Sequence, residues 1–255
     1  MMVRAMTERT TGRLVGGLFI AATLAGVLAV VLHEPVGGTH DYLLGVGGNV
    51  GREATAALLE LIMGVAVAAI AVAIYPILQR SGVRMALGYV VVRAAEGLLI
   101  VIGTVGSLTL LTTGRAYVDA HASDGSLLAL GDTLLAEREW LWGAIEPIVF
   151  ALSAVILSAV LYRAGLVPRW LSLWGLLGGA LWIVAGVLVI YGLDSSSVTP
   201  MAAPIALQEM VFAVYLIVRG FRASASGPAS PSRIVTPASA SVTLAPPSPA
   251  PTPTL

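Results

Sequence analysis

Six long apolar stretches dominate this sequence: Leu14–Leu32, Ala54–Leu78, Met85–Leu111, Trp140–Leu161, Leu171–Tyr191 and Ala202–Val218. A bilayer core about 30 Å thick is crossed by about 20 apolar residues in helical form. Inside lipid every backbone N–H and C=O must find its partner within the segment, which helices do. The expected fold is therefore all-α, a polytopic transmembrane bundle of six helices.

Composition agrees with this. The chain is 57% hydrophobic and 11% charged, where a soluble domain is closer to one quarter charged. Acidic and basic residues balance at 14 each, so net charge points to no nucleic-acid partner. The absence of cysteine removes disulfides, thiolate metal sites and cysteine nucleophiles. The 28 glycines suit close helix packing in lipid.

Orientation is read from arginine, the only basic residue besides histidine. Arg4, Arg9 and Arg13 precede the first span. Arg80 and Arg84 lie between the second and third, Arg163 and Arg169 between the fourth and fifth, and Arg219, Arg222 and Arg233 after the sixth. The other connections hold only Arg52, Arg115 and Arg138, among many acids. The positive-inside rule then predicts a plasma-membrane protein with both termini cytoplasmic. The first apolar run, about 19 residues, exceeds the 7–15 of a signal-peptide core, which predicts a retained helix.

The outer connections are expected to be loops: a glycine-rich one over His33–Glu53, and a longer acidic one over Thr112–Glu139. Trp140 and Trp142 are expected at the outer interface, Trp170 and Trp174 near the inner one. Residues 1–222 form the predicted transmembrane domain. Residues 223–255 are rich in Pro, Ala, Ser and Thr and predict a disordered cytoplasmic tail. The glycines of Gly175-Leu176-Leu177-Gly178-Gly179 are expected to admit a neighbouring helix rather than a ligand.

Some of these elements also resemble a known family. Arg93-Ala94-Ala95-Glu96, the turn Tyr162-Arg163-Ala164-Gly165-Leu166-Val167-Pro168-Arg169-Trp170-Leu171 and Pro204-Ile205-Ala206-Leu207-Gln208-Glu209-Met210, closing at Arg219-Gly220-Phe221, occur in one order. Together they resemble the bacterial six-helix integral membrane group called domain of unknown function 4386, over roughly residues 8 to 222. The resemblance implies six membrane helices and no established activity.

Five charged residues fall within the spans: Glu60, Arg93, Glu96, Glu146 and Glu209. Each costs about 2.5–3.5 kcal/mol at a helix centre, so each must pair, hydrate or lose its charge. Counting from the inner arginines at 1.5 Å per residue puts Arg93 about 13 Å up, Glu209 about 15 Å and Glu96 about 18 Å. Glu146 falls at about 25 Å and Glu60 at about 30 Å, a possible outer rim. Arg93 and Glu96 share a helix face, and Glu209 lies level with them, so an Arg93–Glu209 or Arg93–Glu96–Glu209 cluster is expected where helices three and six touch. One arginine cannot neutralise several carboxylates; the surplus groups must carry a proton or hold a cation, since burial disfavours the charged form. Pro147 beside Glu146 predicts a kink and a polar cavity.

Two readings of this cluster stay open. It either joins helices as a purely structural pair, or forms an intramembrane polar site for an unknown small molecule or ion. A weaker constellation, His33, His40 and His121 with nearby acids, has the ligand chemistry of zinc without a metalloprotease spacing. No other enzyme signature and no cofactor motif is present. The functional expectation is a transport, ion-conducting or proton-coupled membrane protein in a lipid bilayer, with a homo-oligomer as a candidate assembly. The alternatives are a membrane-embedded metal-dependent hydrolase or a non-catalytic scaffold.

Overall fold

The structure, a computed structural model, describes residues 2–33 and 42–222. The proposed tail and His40 lie outside these residues. Among the described residues the chain is helical throughout, without a strand. Nine α-helices follow in order: α1 Met2–Leu32, α2 Tyr42–Gly48, α3 Val50–Leu78, α4 Val83–Asp119, α5 Gly125–Trp140, α6 Glu146–Ala164, α7 Arg169–Ile190, α8 Ser195–Val198 and α9 Ala203–Arg219. Six helical rods are long and apolar enough to cross a membrane.

These rods form a closed ring in chain order. α1 packs on α3, α3 on α4, α4 on α6, α6 on α7, α7 on α9, and α9 returns to α1. Apolar residues lie on both sides of each helix, as lipid outside and protein inside require. Val65, Val72, Val91, Leu98, Leu177 and Val214 point outward and are exposed. Phe19, Ile70, Ile74, Tyr89, Leu157, Leu161, Phe212 and Leu216 point inward, in the core at the end of the ring nearer the chain termini. That end is called the terminal end below, and the opposite one the far end.

The turns close the ring tightly. α6 ends at Gly165, whose φ of 64° a residue with a Cβ adopts at a cost. Leu166 N–H then donates to the Leu161 carbonyl, a Schellman-type closure, and Pro168 starts α7. Arg222 N–H donates to the Leu166 carbonyl at 2.8 Å, and Arg80 Nη1 bonds Glu8 Oε1 at 2.6 Å, tying the terminal end together. In α7 the glycine run does admit its neighbours: a Cβ on Gly179 would stand 3.2 Å from the Ala151 carbonyl oxygen of α6, and one on Gly178 would stand 3.1 Å from Ile205 Cα of α9.

The far end departs from expectation. The acidic connection Thr112–Glu139 is mostly helix: α4 runs on to Asp119, and α5 fills Gly125–Trp140 with Asp124 capping its start through Ser126 N–H at 2.9 Å. The glycine-rich connection contains α2, whose Leu43 and Val46 are buried against α4. Tyr42 Oη donates to Asp132 of α5 at 2.9 Å. α5 and the end of α4 carry too many polar residues to register as spans and α2 is too short, yet a helix outside lipid needs only one buried face.

Pro147 produces a widened turn. Leu141–Ile145 is a π-helical turn joining α5 to α6, and Glu146 N–H reaches back to the Leu141 carbonyl. A proline that cannot donate is accommodated by such a local change of winding. Trp140 stays outside, half exposed, but Trp142 turns inward, contrary to its expected interfacial place. Two residues apart on a helix are roughly 200° apart in azimuth, so both could not face outward.

Candidate functional site in the ring lumen

A cavity of about 200 Å³ lies within the ring, and each of the six spans lines it: Phe19 of α1, Met63 of α3, Arg93 and Glu96 of α4, Glu146 and Phe150 of α6, Trp182 of α7 and Glu209 of α9. Four of the five charged residues singled out within the spans, Arg93, Glu96, Glu146 and Glu209, thus face one space.

Arg93 is its centre. The residue is 3% exposed and Glu96 2%, both on the inward face of α4. Arg93 Nη1 donates to Glu96 Oε2 at 3.0 Å and to Ser153 Oγ of α6 at 3.2 Å. Ser153 Oγ in turn lies 3.0 Å from Glu96 Oε2 and 2.8 Å from the Phe150 carbonyl, so its single proton has two acceptors. Arg93 Nη2 stands 3.9 Å from Glu209 Oε1. The guanidinium also lies over two aromatic rings, 5.3 Å from the Phe19 centroid and 5.8 Å from that of Phe150, within cation–π range. Its Nε and the buried Tyr89 hydroxyl one turn away have no hydrogen-bond partner among the described residues.

The sequence anticipated this meeting at a contact between helices three and six. The route differs. α4 and α9 face each other across the ring and are not packed neighbours. Arg93 meets Glu209 through the lumen, because its long side chain spans what the backbones leave open.

Glu146 was expected further out than the others, and it lines both the central cavity with them and a second cavity of about 490 Å³ toward the far end. Met63 likewise belongs to both. Glu146 makes no hydrogen bond or ion pair with a described side chain, which leaves its carboxyl facing the cavities.

Glu60 was expected as a rim residue reaching water by itself. It is 3% exposed and fully engaged. Its Oε1 lies 2.9 Å from His33 Nε2 and 3.6 Å from Arg138 Nη2, and its Oε2 accepts from Ser107 Oγ at 3.0 Å. Arg138 Nη1 donates to the same serine at 2.7 Å. The other ring nitrogen, His33 Nδ1, lies 2.8 Å from Glu53 Oε2, and Arg52 Nη2 donates to the His33 carbonyl at 3.2 Å. Burial alone would lower the imidazole's proton affinity; the carboxylates of Glu53 and Glu60 outweigh it and hold the pKa above the ordinary histidine value.

The histidines do not form a metal centre among the described residues. His33 directs its two nitrogens in opposite directions, to two carboxylates, whereas a metal needs donors that converge. His121 sits exposed on the turn after α4. No group of three or more His, Cys, Asp or Glu side chains among the described residues is arranged to hold a metal ion. Sequence reading missed Ser153, which carries no charge, and the His33–Glu53–Glu60 cluster. A signal for the latter existed: His33 ends one span and Glu60 starts the next, so antiparallel pairing brings them level.

No curated protein and no solved structure matches the chain. One family model covers residues 14–220, from the first apolar span to the glycine that ends the last one. With six membrane-type helices in a ring and the Arg93–Glu96 element at its centre, the chain belongs to the family described as Domain of unknown function (DUF4386).

Proposed function

We propose that this protein moves protons, or a small solute coupled to protons, through the lumen of its helix ring, in the plasma membrane and with both termini cytoplasmic. One observation carries the reading: three carboxyl groups, Glu96, Glu146 and Glu209, share one cavity with a single guanidinium, that of Arg93. At most one of the three is neutralised by it. The remainder must carry a proton or hold a cation, and intramembrane carboxyls of this kind mark ion and proton pathways in transporters. Arg93 and Glu96 hold each other firmly by hydrogen bonds. Glu209 at 3.9 Å is attracted without being hydrogen-bonded, and Glu146 bonds no described side chain, so these two are the exchangeable groups.

The test is proton flux in liposomes. Purified protein is reconstituted around a pH-sensitive dye, and a potassium gradient with valinomycin drives protons inward. Wild-type vesicles are expected to acidify. Glu209→Gln removes one exchangeable group, keeps the side chain's shape, and is expected to melt like wild type while flux falls about tenfold or more. A folded variant that conducts like wild type would reduce the lumen cluster to a structural joint.

A further inference from the structure

The far-end cluster obeys a proton count. Contacts of 2.8 and 2.9 Å between imidazole nitrogens and carboxylate oxygens each require one proton between the two atoms. His33, Glu53 and Glu60 therefore hold two protons. These may be written as an imidazolium between two carboxylates, or as a neutral imidazole beside one carboxylic acid. The forms differ only by moving one proton from His33 Nε2 to Glu60 Oε1: the N–H bond breaks, the O–H bond forms, and the imidazole loses its charge as the carboxylate does.

Glu60 has two sides. One oxygen faces His33, at the end of α1, where the imidazole is 11% exposed. The residue also lines the 490 Å³ cavity whose opposite boundary with the lumen is Glu146. Among the described residues the charged groups near the imidazole are Glu53 and Glu60 of α3, Arg138 of α5, and Arg52 of α3, which donates to the His33 carbonyl. Arg138 stands beside Glu60 and disfavours a lasting positive charge on His33, so the cluster can discharge as well as load.

We infer that His33, Glu53 and Glu60 form the far-end loading station of a proton relay, which passes protons from His33 through Glu60 and the larger cavity to Glu146. This rests on the lumen reading given above and adds three residues to it. Once Glu60 has passed a proton on, the neutral imidazole, 11% exposed, turns Nε2 from Glu60 to bulk water, takes up a proton there and turns back. Glu60 receives it from Nε2 and yields it into the cavity, where Glu146 accepts. Glu53 positions the imidazole and sets the pH at which it loads.

The same proton-flux assay tests the inference, run as a pH series on wild type, His33→Gln and Glu53→Gln. Glutamine at position 33 keeps a polar side chain but cannot titrate; flux is expected to fall about tenfold and to lose its dependence on far-side pH. Glu53→Gln keeps a hydrogen-bonding partner for Nδ1 without its charge. Its half-maximal pH is expected to move about one unit toward acid, because one of two stabilising carboxylates is gone. Wild-type flux with an unmoved midpoint in Glu53→Gln overturns the relay and leaves the lumen reading standing, even if His33→Gln misfolds. A His33→Gln variant that keeps the wild-type rate and pH profile does the same. No flux in wild type overturns both.

Discussion

Arg93 is the residue on which the buried charges converge, and its removal separates structure from function. Arg93→Ala leaves Glu96 buried without its cation and Ser153 without a donor. Breaking one side of a buried pair costs about 3–5 kcal/mol, so a large loss of thermal stability in detergent is expected. Replacing Arg93 with Met and Glu96 with Leu together should cost less than Arg93→Ala, since the carboxylate bonded to the guanidinium is removed with it. A double variant as unstable as the single one would show that the guanidinium's packing on Phe19 and Phe150, rather than its charge, holds the site. The Arg93–Glu96 pair was legible in sequence because i,i+3 spacing fixes a shared helix face whatever the tertiary fold. Glu209 was legible from depth alone. Glu146, counted further out than the others, lies where the central cavity meets the one toward the far end. Ser153 could not be read at all: an uncharged hydroxyl in an apolar span leaves no mark until its neighbours are known.

At the scale of the element, α7 shows what glycine contributes. Its contact with α6 is set by Gly179, which lets the helix approach the Ala151 carbonyl and Val155. Gly179→Val is expected to push the two helices apart at a cost of about 1–3 kcal/mol, read as a lowered melting temperature. Gly17 on α1 has open space around it, and Gly17→Val is the matched control, expected to melt close to wild type. Equal effects at both positions would mean that propensity, not packing, sets the cost. The six apolar rods were readable because a bilayer imposes a length on each. Their extensions were not: α2, α5 and the end of α4 lie beyond the apolar segments, where polar residues are compatible with loop and helix alike. There the helix is decided by partners remote in sequence, such as Tyr42 with Asp132.

For the whole molecule, the remaining expectation concerns direction. Nine arginines lie at the connections and helix ends of the terminal end, with Arg233 beyond them in sequence, against three at the far end, and the bias alternates at every connection. Reporter fusions after Gly125 are expected to read external and fusions after Gly227 internal. The opposite pattern would reverse the direction of any relay through the lumen. With the expected orientation, His33 faces the exterior and the loading station takes its protons from outside the cell.

The chain-order ring also bears on how such a protein enters the membrane. Each span emerging from synthesis finds its neighbour already present, and only the pairing of α9 with α1 waits for the end. Until then no lumen exists, and α4 must cross lipid with Arg93 lacking Glu209. The glutamate one turn along its own helix solves that problem: α4 brings its counter-ion with it. Glu209 arrives last and meets a charge that Glu96 has already neutralised.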